Sequence, residues 1–276
     1  MPRISTGLGI AVLIFGLAAA AVAAEPPPSA WEPVGLSGGG AMYVPAVSPA
    51  DPKRMMVHCD MSAAYVTQDG GLSWKMIHNA QLRSNTACRP AFHPTDPRTI
   101  VSASGWEGLK ISRDGGERWE FLGKPPGSPQ GEIAIDPVNP AFLLVGADNA
   151  VCRSLDGGKT WARCEGPRGA VLAFHIDRTS PPDRRVCFAG TAEGVWRSDD
   201  GGATWAEKAA GLPSKRLLAF AGGSNAKEKA MMLYCSLPAR EEGGKYAGGP
   251  YRSSDRGETW ESAVGTGLNT ETKAFD

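Results

Sequence analysis

The sequence predicts an all-β protein, a β-propeller of four-stranded antiparallel blades, and three observations carry that prediction. One turn motif recurs five times. Its spacing is that of a propeller blade. Each copy is also preceded by the same order of short apolar strands and proline-rich turns.

The motif is first met as Thr67-Gln-Asp69-Gly-Gly71-Leu-Ser73-Trp74 and again as Ser112-Arg-Asp114-Gly-Gly116-Glu-Arg118-Trp119. Ser154 to Trp161, Ser198 to Trp205 and Ser253 to Trp260 repeat it around Asp156, Asp200 and Asp255. The aspartates stand 45, 42, 44 and 55 residues apart. In each copy the aspartate and the Ser or Thr can take up backbone N–H groups of their own turn. The second glycine supplies a positive φ that a side chain resists. The tryptophan (Trp74, Trp119, Trp161, Trp205, Trp260) starts the next strand and packs its ring under the turn. These residues are scaffold.

Upstream, Val47-Ser-Pro49-Ala-Asp51-Pro52, Phe92-His-Pro94-Thr-Asp96-Pro97 and Ile135-Asp-Pro137-Val-Asn139-Pro140 end a first strand in a proline turn. A second strand follows (Met55 to His58, Thr99 to Ser102, Phe142 to Val145, Arg185 to Phe188, Met231 to Tyr234), then a polar loop and a third strand such as Ala64-Tyr65-Val66. The motif turn and a tryptophan-led fourth strand complete each unit. Five units are visible. Trp31-Glu-Pro-Val-Gly35-Leu36 looks like a sixth fourth strand, so the propeller is either incomplete or closed in an unusual five-bladed way.

Residues 1–24 read as a signal peptide: Arg3, an apolar run from Leu8 to Ala20, and small residues at 21–24. Residues 25–30 are a Pro-rich linker, and 31–276 the propeller. A secreted or periplasmic (extracytoplasmic) location follows, with no membrane span after cleavage. Lys plus Arg and Asp plus Glu balance at 29 each, so no net field attracts nucleic acid. No cofactor or metal motif is present.

Six cysteines allow 15 pairings. Cys152 and Cys164 flank one hairpin turn at similar distances, which makes a cross-strand pair of them conceivable. His93 and His175 are placed at turn-capping positions equivalent to Ser48 and Asp136, and Gly222-Gly223 and Gly243-Gly244 in loops.

The motif turns and the proline turns fall at one end of the blades; the loops between strands two and three fall at the other, and that end is expected to carry function. It collects Asp60, Trp106, Glu107, Asp148, Asn149, Glu193 and the excursion Leu237 to Pro250 with Tyr246. The first link between blades adds His78, Asn79, Arg83 and Asn85. Acids and amides pair with hydroxyls, and an indole stacks on a sugar face. Asp60, with Glu107 or Asp148 as partner, would permit glycoside cleavage if two carboxyls stand roughly 5–10 Å apart.

The five motifs resemble the BNR/Asp-box superfamily over residues 31–276. That superfamily contains sialidases, family 74 glycoside hydrolases that cleave xyloglucan, sortilin-type receptors and photosystem assembly propellers. Val57-His58-Cys59-Asp60-Met61-Ser62-Ala63-Ala64-Tyr65 is similar to a first-blade segment of family 74, in which an aspartate precedes a pair of small residues and a tyrosine. The resemblance implies a catalytic base at Asp60. Two departures stand against it: the family's Gly-Gly is Ser62-Ala63 here, and its second catalytic aspartate lies in a second propeller that this chain lacks. Arg89-Pro90 does not match the Arg-Ile-Pro segment of sialidases.

Two readings of function follow. One is a propeller that binds or hydrolyses a polysaccharide, glucan-type rather than sialidase if it is an enzyme. The other is a noncatalytic propeller whose partner is a peptide or an envelope protein.

Overall fold

The computed structural model describes residues 40–264, apart from 229, 243 and 244 and the side chains of 242, 245 and 246. The chain divides into Met1–Pro33 and Val34–Asp276, and the described residues all lie in the second unit. The expected signal peptide, linker and Trp31 strand fall outside them.

Five antiparallel meanders stand in chain order. Blade 1 is β1 (Met42–Val47), β2 (Met55–Cys59), β3 (Ala64–Thr67) and β4 (Lys75–Met76). A two-residue strand, β5 (Cys88–Arg89), precedes blade 2, which is β6 (Ala91–Phe92), β7 (Ile100–Ala103), β8 (Leu109–Ser112) and β9 (Glu120–Gly123). Blade 3 is β10 (Pro129–Ile135), β11 (Leu143–Ala147), β12 (Ala150–Ser154) and β13 (Ala162–Arg163). Blade 4 is β14 (Val171–Ile176), β15 (Cys187–Thr191), β16 (Gly194–Ser198) and β17 (Ala206–Glu207). Blade 5 is β18 (Ala219–Asn225), β19 (Ala230–Glu242), β20 (Lys245–Ser253) and β21 (Glu261–Ser262). No helix among the described residues is long and apolar enough to cross a membrane.

Each aspartate turn closes as its residue types require. At the third, Ser154 Oγ donates to Asp156 Oδ1 (2.8 Å) and accepts the Gly158 N–H (2.8 Å). The Thr160 hydroxyl donates to Asp156 Oδ2 at 2.6 Å. Gly158 has φ +92°, and a Cβ there would stand 2.7 Å from Leu122 of the preceding blade. The turns also bond to the proline turns of their own blades, as in Gly70 N–H to Lys53 O and Gly157 N–H to Ala141 O. Both kinds of turn therefore share one end.

Apolar seams join consecutive blades. Met56, Val66, Phe92, Ile100 and Trp119 fill the first, and Val101, Ile111, Val145 and Cys152 the second, with Trp161 against it. Leu144, Cys164, Ile176 and Cys187 make the third, under Trp205, and Phe188, Val195, Leu233 and Trp260 the fourth. Among the described residues no such cluster joins blade 5 to blade 1.

Four expectations are corrected. Cys152 stands opposite Arg163, and Cys164 N–H bonds to Val151, so the two thiols are one register apart on opposite faces of the sheet, in different seams. All six cysteines are buried, and no disulfide joins any two of them. His93 does cap its turn, accepting the Thr95 and Asp96 N–H groups at Nδ1. His175 does not: Asp177 holds that position, accepting the Thr179 N–H, and His175 lies two residues earlier in β14. Gly222-Gly223 belong to β18, where the His175 ring would lie 2.5 Å from a Cβ on Gly222. The excursion Leu237 to Pro250 is a continuation of β19 and β20, with Leu237 opposite Gly249 and Arg240 opposite Ala247. Gly243-Gly244 lie outside the described residues.

Candidate functional site

At the end opposite the aspartate turns, the loop between β7 and β8 presents Trp106 and Glu107. Glu107 is placed by its N–H on Ser104 O (2.9 Å) and by the Ser104 hydroxyl on Oε2 (3.3 Å). Arg83, from the link between blades 1 and 2, reaches Glu107 Oε1 at 3.3 Å. Its guanidinium lies 5.6 Å from the centre of the Trp106 ring, a cation–π contact on an indole that is 68% exposed. Lys110 Nζ is 4.0 Å from Glu107 Oε2. Arg83, Glu107 and Lys110 bound a cavity of about 570 Å³ with His78, Asn79 and Ala80.

The other sequence-predicted residues have partners of their own. Asp60, exposed after β2, accepts the Ala41 N–H at 2.9 Å. Asp148 and Asn149 form the two-residue turn between β11 and β12, both at positive φ (42° and 59°). Asn149 Oδ1 accepts from Gln130 (3.2 Å). Glu193 is exposed and packs on Gly169. Asn85 has its amide fully engaged: Nδ2 donates to Gly105 O and Pro129 O, and Oδ1 accepts the Ala87 and Cys88 N–H groups. The side chain of Tyr246 lies outside the described residues. Asp60, Glu107 and Asp148 come from three different loops, between β2 and β3, β7 and β8, and β11 and β12.

A larger cavity, about 660 Å³, lies toward the aspartate-turn end, which sequence reasoning passed over. The second halves of the inner strands and the following proline turns line it, Arg89, Glu132, Phe174, His175 and Arg178 among them. β5 pairs in parallel with β10, setting Arg89 opposite Glu132, and Arg89 Nη1 meets Glu132 Oε1 at 3.3 Å. Glu132 Oε2 accepts the Phe174 N–H at 2.6 Å. Burial pushes the Glu132 carboxyl above its usual range, against the opposing pull of that N–H and of Arg89. The one available signal was an acid within the apolar inner strand 129–135. Among the described residues no cluster of three or more His, Cys, Asp or Glu side chains is placed to hold a metal ion.

No family model matches the chain, and no curated protein matches it. Solved structures do. The chain is similar to an ancestral GH74 enzyme (18% identity, TM-score 0.65, 87% of this chain and 33% of that one). It is also similar to the GH74 xyloglucanase from Xanthomonas campestris (20%, 0.59, 86% and 40%). A third likeness is to YCF48 bound to D1 peptide (17%, 0.51, 81% and 68%). The chain spans less than half the length of the two GH74 enzymes. These likenesses show a shared propeller fold.

Proposed function

We propose that the chain is an extracytoplasmic, noncatalytic propeller that binds a saccharide at the Trp106 end. The observation that carries the reading is the position of Arg83, which meets both the Trp106 ring and Glu107 and lines a cavity with Glu107. Arg83 covers one side of the indole, and its high exposure leaves room for a pyranose ring on the other. Glu107, His78 and Asn79 lie within the same cavity to pair with hydroxyls. Catalysis is left out of this reading because glycoside cleavage needs two facing carboxyls, and Glu107 is the one carboxylate among the residues that line this cavity. The signal-like pattern of residues 1–24 in the sequence supports a ligand outside the cytoplasm.

The test is affinity electrophoresis of the full chain against xyloglucan, other β-glucans and sialoglycans, with reducing-end release measured in parallel. Retardation by a glucan that is lost in Trp106→Ala, without sugar release, supports the reading. A wild type that binds no saccharide ends it, and release of sugar that Asp60→Asn stops makes the chain a hydrolase instead.

A further inference from the structure

The cavity at the aspartate-turn end has a composition unlike the Trp106 site. Pro45, Pro49, Pro90, Pro94 and Pro137 line it, and proline has no N–H to offer. Phe92, Ile135 and Phe174 add apolar wall. Cationic donors are left to Arg89 and Arg178.

The charges do not cancel. Glu132 is the sole carboxylate among the lining residues, and it is held in the wall by the Phe174 N–H and by one nitrogen of Arg89. The Arg89 side chain is 45% exposed and makes this single ion pair among the described residues, so the rest of its fork faces the cavity or solvent. Arg178 is exposed and makes no ion pair among the described residues. His175 adds no positive charge near neutrality, because burial lowers its proton affinity. Two guanidinium groups and one carboxylate thus share the lining of a cavity large enough for a small ligand.

We propose that this cavity is a second ligand site, taking a small carboxylic acid whose anionic group is held by Arg89 and Arg178 and whose apolar body lies along the proline wall. It is independent of the saccharide reading. A carboxylate suits the planar fork of arginine, and the two guanidinium groups favour an anionic ligand over its neutral amide.

The test is saturation-transfer NMR and calorimetry on the full chain with benzoate, hexanoate and adipate, each beside its amide. The acids are expected to bind about tenfold or more tightly than their amides, and Arg178→Gln to weaken them by about tenfold. Arg178 is exposed and bonded to nothing described, so this variant keeps the fold; Arg89→Gln, checked by its melting curve, should act in the same direction. Trp106→Ala should leave the acids bound, which separates this site from the saccharide one. Equal binding of acids and amides, unchanged affinity in both arginine variants, or no binding of any acid at millimolar concentration overturns the proposal. So does capture of an acidic hexapeptide in place of the small acids.

Discussion

Arg185 of blade 4 forks onto Asp136 of blade 3, Nε to Oδ2 at 2.6 Å and Nη2 to Oδ1 at 3.2 Å, with both side chains almost wholly buried. Asp136 Oδ1 also caps its own proline turn through the Val138 and Asn139 N–H groups, and Arg185 donates to the carbonyls of Asp177 and Ser180. One ion pair thereby joins two turns across a seam between blades.

Removing one partner leaves the other charged in a dry seam. Asp136→Asn keeps a capping oxygen and removes the charge, and it should cost about 3–5 kcal/mol, read from urea unfolding. The double variant Asp136→Asn/Arg185→Met should cost less than the two single losses added together. Strict additivity would show that the two groups act separately.

Gly157 and Gly158 occupy one turn with different neighbours. Gly157 has φ +76° and nothing within 4 Å of a Cβ, so Gly157→Ala should cost about 1 kcal/mol of backbone strain. Gly158→Ala adds a contact of 2.7 Å with Leu122 to the same strain and should cost about 2–4 kcal/mol. Equal losses for the two variants would remove the seam from the explanation.

His58 is fully buried between blades 1 and 2. The Asn85 N–H donates to its Nδ1 at 3.0 Å, and its Nε2 stands 3.0 Å from the Ser102 hydroxyl. That geometry assigns the proton to Nε2. Burial lowers its pKa from 6.5 to about 4. The unfolded chain then binds the proton first as pH falls, so stability present above pH 6.5 is lost between 6.5 and 4, by roughly 3 kcal/mol. His175 acts in the same direction and Glu132 against it. Urea midpoints at pH 7.5 and 5 capture about 2 kcal/mol of that loss, and His58→Gln should flatten the slope. Below pH 4 the turn aspartates Asp69, Asp156 and Asp255, held at about 2 chiefly by the Ser73, Thr160 and Thr259 hydroxyls, lose their contribution in turn.

Asn85 bonds four backbone groups drawn from the chain that follows it, the β7–β8 loop and β10. Asn85→Ala should cost about 2–3 kcal/mol, since the partly buried N–H and C=O groups it serves lose their partner. If the variant melts with the wild type and loses saccharide binding instead, Asn85 is a ligand contact.

Arg83 is exposed, and its pair with Glu107 carries little stability. Arg83→Ala should leave the melting point unchanged while weakening saccharide binding severalfold, because the indole loses the cation on its covered side. An unchanged affinity would remove Arg83 from the site.

Much of the fold was legible because its signals are local. Asp156, Gly158, Thr160 and Trp161 lie within six residues, and the bonds that close the turn run among them. The register of His175 was misread because the blade 4 turn lacks its proline: Asp177 is followed by Arg178, and the alignment slipped by two. The candidate site was legible only in part. Trp106, Glu107 and Arg83 were named together from the loops that carry them, whereas the Arg89–Glu132 pair depends on β5 lying parallel to a strand more than forty residues away.

By itself the sequence determined the four-stranded unit, its period and the end at which each loop lies, because short-range hydrogen bonds and apolar alternation specify these without reference to distant chain. Tertiary structure alone decided which side chains meet: that Cys152 and Cys164 part company, that Gly222 makes room for an imidazole, and that two arginines share a cavity with one acid. Contacts across a seam depend on the register and packing of strands remote in sequence, and no local spacing records them.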